Sequence, residues 1–133
     1  MKIRQDFITN SSSSSYIIAW HPTKNPTEKE AFINALISRI LDSNDGETCC
    51  AYIYRTRDDL AAFARNHYYD SIEEFLECEG ENFANQFRTM LECVDNGFTV
   101  YDKWIDNRDY MTPYFLKILL EESPNAVIIK YGD

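Results

Sequence analysis

Glycine is scarce in this chain of 133 residues: there are four, and none falls in a Gly-x-x-x-x-Gly-Lys-[Ser/Thr] or Gly-x-Gly-x-x-Gly pattern. Phosphate cradles of those two kinds need glycine so that backbone N–H groups can approach the ligand, and the sequence excludes both. No apolar run reaches the roughly 18 residues of a membrane span, and Met1-Lys2-Ile3-Arg4 is not followed by a secretory apolar segment. A cytoplasmic protein with no membrane partner is the expectation. Histidine is limited to His21 and His67, so a hydroxyl or thiol nucleophile would have to recruit one of these two imidazoles. No catalytic residue is assigned, and no cofactor is implied. Basic residues are outnumbered 13 to 22, for a net charge of −9, which argues against direct nucleic-acid binding, because phosphates need a basic footprint.

Cysteine is present but in no metal-binding arrangement. Cys49, Cys50, Cys78 and Cys93 form no C-x-x-C pair and no zinc-finger spacing with histidine. Cys49 and Cys50 are adjacent on a β-prone segment, so their side chains should point to opposite faces. Buried free thiols are expected, and no metal. What the chain does have is apolar content, 44% hydrophobic and 14% aromatic, enough for one core in a domain of this length.

The elements follow from periodicity and caps. Tyr16 to Trp20 predicts a short buried strand ended by His21-Pro22. Thr27-x-x-Glu30 is a capping box, and Phe32, Ile33, Leu36, Ile37, Ile40 and Leu41 continue it as a helix over 28–42. Thr48 to Tyr54 reads as a strand. Thr56 with Asp59 opens a helix that ends near Asn66-His67, where the histidine is expected to help satisfy the terminal carbonyls. Asp70 or Ser71 caps another, Gly80 interrupts, and Phe83, Phe87, Met90, Leu91 and Val94 mark the next. A strand over Phe98 to Trp104, a helix from Pro113 to about Glu122 capped by Thr112, and a strand from Ala126 to Tyr131 complete the order. Strands separated by helices predict an α/β or α+β single domain, a mixed sheet of about four strands covered by about five helices, with some parallel pairing. Met1 to Ile8 is a candidate antiparallel edge strand beside Tyr16 to Trp20.

Ser11, Ser12, Ser13, Ser14 and Ser15 form an unbroken run between two β-prone segments. Serines suit a solvated connection, since their hydroxyls bond nearby backbone groups. The same run, with Lys2, Arg4 and His21, is a candidate anion or phosphate site centred on Ser11, Ser12 and Ser13. The opening Met1-Lys2-Ile3-Arg4-Gln5-Asp6-Phe7-Ile8-Thr9-Asn10 and the serines after it resemble an N-terminal signature of small, mostly uncharacterised bacterial and phage proteins. That resemblance covers about seventeen residues and implies no activity.

Charge is unevenly spread. Between Asp70 and Asp95 eight acidic residues face one basic residue, Arg88, while the rest of the chain has 14 acidic and 12 basic residues. Glu73, Glu77 and Glu81 recur every four residues, where like charges on one helix face destabilise it by about 0.2–0.5 kcal/mol per pair. Helix dipoles and solubility would account for some of these charges without any partner. A solvated acidic face and a binding surface for a basic partner are the two readings. Glu73, Glu74, Glu77 and Glu81, with Tyr68, Tyr69 and Trp104 as aromatic anchors, are therefore the candidate partner-binding residues. The expectation is a non-enzymatic interaction protein, an inhibitor of anti-defence or immunity type, that binds a basic nuclease or nucleic-acid-guided effector. The alternative is a ligand-binding protein or enzyme built on the serine run and His21.

Overall fold

A computed structural model describes residues 13–43 and 51–132. In chain order the elements are β1 (Ser13–Trp20), α1 (Glu28–Asp42), β2 (Ala51–Tyr54), α2 (Arg57–Asn66), α3 (Ile72–Cys78), α4 (Glu81–Asp95), β3 (Thr99–Asp106), α5 (Met111–Glu121) and β4 (Ala126–Tyr131). The four strands form one sheet in the order β2-β3-β1-β4. All three pairings are antiparallel, so the fold is α+β and the expected parallel pairing does not occur. Each helical connection returns the chain beside an oppositely running strand, which the helix–strand alternation in sequence does not reveal. The proposed edge strand over Met1 to Ile8 and the cysteines Cys49 and Cys50 lie outside the described residues.

Alternation along β1 divides the interior in two. Ile17 and Ala19 face one way, into a core shared with Leu60 and Ala64 of α2, Phe75 of α3, and Phe87, Met90 and Val94 of α4. Tyr16, Ile18 and Trp20 face the other way, onto Ile37 and Leu41 of α1 and Leu116, Leu119 and Leu120 of α5. The sheet is thus covered on both faces, and β1 is buried along Ser14 to Trp20, as a strand enclosed by two helical layers must be.

Local signals place the helix ends. Thr27 Oγ1 accepts from Glu30 N at 3.2 Å, and Glu30 Oε1 accepts from Thr27 N at 2.9 Å. The second box uses aspartate: Thr56 Oγ1 accepts from Asp59 N, while Asp59 Oδ2 accepts from Thr56 N and, at 2.7 Å, from Arg55 N. These bonds hold the Asp59 carboxyl below the usual carboxylate range, the Arg55 amide foremost. Ser71 caps α3 by accepting from Glu74 N. Helix α5 begins at Met111, two residues earlier than Thr112-Pro113 predicts, with Tyr110 at the N-cap and Asp109 Oδ1, one residue before it, accepting from Thr112 N. At the other end of α1, the buried Lys103 ammonium donates to the carbonyl of the C-cap Ser43 at 2.7 Å, a cation set where the helix dipole favours one.

Phe75 ties three helices together. Its ring is 1% exposed and lies within 4.5–6.1 Å, centroid to centroid, of Phe87, Tyr69, Phe63 and Phe83. Aromatic clusters of this kind add to area burial through edge-to-face and offset contacts. Phe75→Ala should therefore cost about 3–5 kcal/mol, read as a lowered urea midpoint at unchanged slope; a loss below about 1 kcal/mol would show that α3 is peripheral to the core.

Candidate functional site

Helix α2 ends in a Schellman motif, with Tyr69 N donating to Ala64 O at 3.1 Å and Tyr68 N to Arg65 O at 3.0 Å. Helix α4 ends in the same motif, with Phe98 N on Cys93 O and Gly97 N on Val94 O. Both need a left-handed residue. In α4 it is Gly97, at φ +88°; in α2 it is Tyr68, at φ +70°, whose side chain is 96% exposed. A bulky residue in that region carries about 1–2 kcal/mol of backbone strain, and Tyr68 recovers none of it through packing.

The acidic segment is resolved into structural and free carboxylates. Glu74 Oε1 accepts from Asp70 N at 2.6 Å, and Glu79 Oε2 accepts from the Tyr69 hydroxyl at 2.5 Å. The bond to Glu79 pushes the Tyr69 hydroxyl up to about 12. Tyr69 and Glu74 therefore serve the α2–α3 turn. Glu73, Glu77 and Glu81 are exposed, but they do not form one stripe, because α3 stops at Cys78 and Gly80 caps a new helix at Glu81. Trp104 lies on β3. Cys78 is exposed, against the expectation of burial, while Cys93 is buried.

The proposed serine–histidine site is pulled apart. Ser13 to Ser15 belong to β1, not to a loop, and Ser14 and Ser15 are buried. The Ser14 hydroxyl donates to Asn107 Oδ1 at 2.6 Å. His21 follows the far end of the strand, roughly 25 Å from Ser13 at the usual rise per residue, with its ring edge-on to Phe98. Lys2, Arg4, Ser11 and Ser12 lie outside the described residues. His67 closes α2 as its C-cap, and its Nδ1 donates to Phe63 O at 2.9 Å, the carbonyl-satisfying role expected of it.

A cavity of about 580 Å³ opens where α2 and α4 leave the sheet uncovered. Its floor is the sheet face bearing Ser15, Ile17, Asp102 and Lys130, and its walls are aromatic: Tyr52, Trp104, Phe63 and Phe83. Ala62 and His67 of α2 complete one side. Such a volume and lining are those of a small-molecule site. Asp102 is the unusual member. Its Oδ1 is buried and has no hydrogen-bond partner among the described residues. Burial raises its carboxyl above the ordinary range, with Lys130 and His67 pulling it down. Sequence reasoning missed this residue. Its one signal is a carboxylate in register with Val100 and Trp104, on a face that otherwise repeats apolar residues at period two.

Comparison with protein-family models, with curated proteins and with solved structures finds no match. Among the described residues no cluster of His, Cys, Asp and Glu could hold a metal, and no helix is long and apolar enough to cross a membrane.

Because Asp102 has a raised value in the folded state, its ionised form costs stability above the ordinary carboxylate range, and that cost disappears as pH falls below it. Asp102→Asn should therefore stabilise the fold by about 1 kcal/mol at neutral pH, because the neutral amide removes the cost of desolvating a charge. The gain should vanish below about pH 3.5. Equal thermal midpoints for parent and variant at neutral pH would show that the carboxylate is satisfied after all.

Proposed function

We propose that this protein is a small-molecule-binding module whose site is the cavity between the sheet and helices α2 and α4. One observation carries the reading: a carboxylate sits inside an aromatic-walled cavity and accepts no hydrogen bond from any described residue. Buried polar groups are paired in the great majority of cases, and an exception in a concave site calls for a partner from outside the chain. The groups around it support binding more than chemistry, since among the described residues no nucleophile there stands beside a base that is itself oriented by a third group.

A direct test uses a half-buried position that lines the cavity without belonging to the core clusters. Ala62→Trp should fill the cavity from the α2 side. In ligand-observed NMR with a library of aromatic fragments, those bound by the parent should be lost in the variant. Fragments that bind both proteins equally, or a parent that binds none, would refute the reading.

Tyr68 favours a second reading, an acidic interaction module for a basic protein surface. Its ring is exposed on a strained backbone, in the turn that leads to exposed Glu73 and Glu77, and exposed aromatics beside charge are common interface anchors. A target that binds nucleic acid would offer the complementary surface, and the protein would then act as an inhibitor by occupying it. Tyr68→Gly should stabilise the fold by about 1 kcal/mol. Combined with Gln at 73, 77 and 81, it should abolish salt-sensitive capture of basic proteins by the immobilised chain. Capture that is unaffected by these changes and by salt would sink this reading.

A further inference from the structure

Resting on the cavity reading, we infer that the ligand is an aromatic zwitterion of the α-amino-acid class, its ammonium on Asp102 and its carboxylate on Lys130. Both side chains line the same cavity, and neither forms an ion pair with the other or with any described residue. Register places them together. Ile17 of β1 stands opposite Asp102 of β3 on one side and Lys130 of β4 on the other, so all three share one sheet face. Two strand spacings put the backbones of Asp102 and Lys130 roughly 10 Å apart, with Ile17 between them, so that a head group carrying an ammonium and a carboxylate can offer one charge to each.

A β-bulge creates the juxtaposition. Ile17 pairs with Lys130 but Ile18 pairs with Ile128, so Ile129 is the extra residue in β4. Without it Ile129 would stand opposite Ile17, and Lys130 would turn to the α1 and α5 side of the sheet.

The charges also select against simpler ligands. A plain amine would satisfy Asp102 while meeting Lys130, and a plain acid would satisfy Lys130 while meeting the buried carboxylate. Only a ligand carrying both signs satisfies both, and charge-assisted bonds in a half-enclosed site are the strong ones. The remaining surface is aromatic, from Tyr52, Trp104, Phe63 and Phe83, which suits an aromatic side chain stacked or edge-on.

The experiment titrates the full chain with two matched sets, phenylalanine, phenethylamine and 3-phenylpropionate, then tryptophan, tryptamine and indole-3-propionate, by calorimetry or amide chemical shifts. In at least one set the amino acid should bind about tenfold or more tightly than either single-charge analogue. Asp102→Asn should erase its advantage over the acid, and Lys130→Gln its advantage over the amine. Circular dichroism and thermal midpoints confirm that both variants fold. An amine or acid that binds as tightly as the amino acid overturns the zwitterion assignment. So does failure of all six probes while other aromatic fragments bind the parent and are lost in Ala62→Trp, a result that leaves the cavity reading intact. If no fragment of any charge is sensitive to Ala62→Trp, the cavity reading falls and the ligand class with it.

Discussion

The pairing of β1 with β3 is the interaction on which the rest of the structure depends. These two strands are the interior of the sheet, and their register, Ser13 opposite Asp106 through Trp20 opposite Thr99, decides which side chain enters which core. Asp102 and Lys103 are neighbours in sequence and face opposite layers. One reaches the cavity beside α2 and α4; the other runs under α1 and donates to its last turn. A slip of one residue would exchange them, placing an ammonium in the aromatic cavity and a carboxylate against the helix C-terminus, where the dipole repels it. A half-buried carboxylate and a buried ammonium on adjacent residues therefore make the register costly to change.

The two helical layers are unequal in what they leave open. Helices α1 and α5 complete the core around Tyr16, Ile18 and Trp20, yet Met111, Tyr114, Phe115 and Ile118 of α5 remain exposed. Helices α2 and α4 cover Ala19 and Val100 but diverge over Ile17, Asp102 and Trp104, and the divergence is the cavity. The carboxylate at its floor is desolvated, and its Oδ1 has no hydrogen-bond partner among the described residues. Natural proteins keep such costs where a function needs them, because groups arranged for a ligand are not arranged for the fold.

Much of the architecture was legible in sequence because its signals are local. Thr27 with Glu30 and Thr56 with Asp59 are capping boxes whose bonds span three residues, and both helices begin where those bonds require. Gly80 and Gly97 mark interruptions for the same reason. The serine run was misread because composition favours a loop, while tertiary pairing to β3 extends the strand back to Ser13. His67 was legible as a carbonyl cap, being within one helical turn of Phe63. Its place in the cavity wall was not, since that depends on how α2 packs across the sheet.

By itself the sequence determined the four strands and five helices found among the described residues, most of their ends, the acidic balance and the absence of nucleotide-binding fingerprints, all of which rest on residue type and on spacings of a few positions. Only the tertiary structure decided that the strands run antiparallel, that Tyr68 takes the left-handed place glycine fills elsewhere, and that Asp102 and Lys130 share a cavity. The last of these brings together residues 28 positions apart through a strand that precedes both, and turns on one extra residue in β4. Hydrophobic period and capping chemistry act along the chain, whereas register, bulges and helix placement are settled by which faces can be buried together, and no local pattern records that.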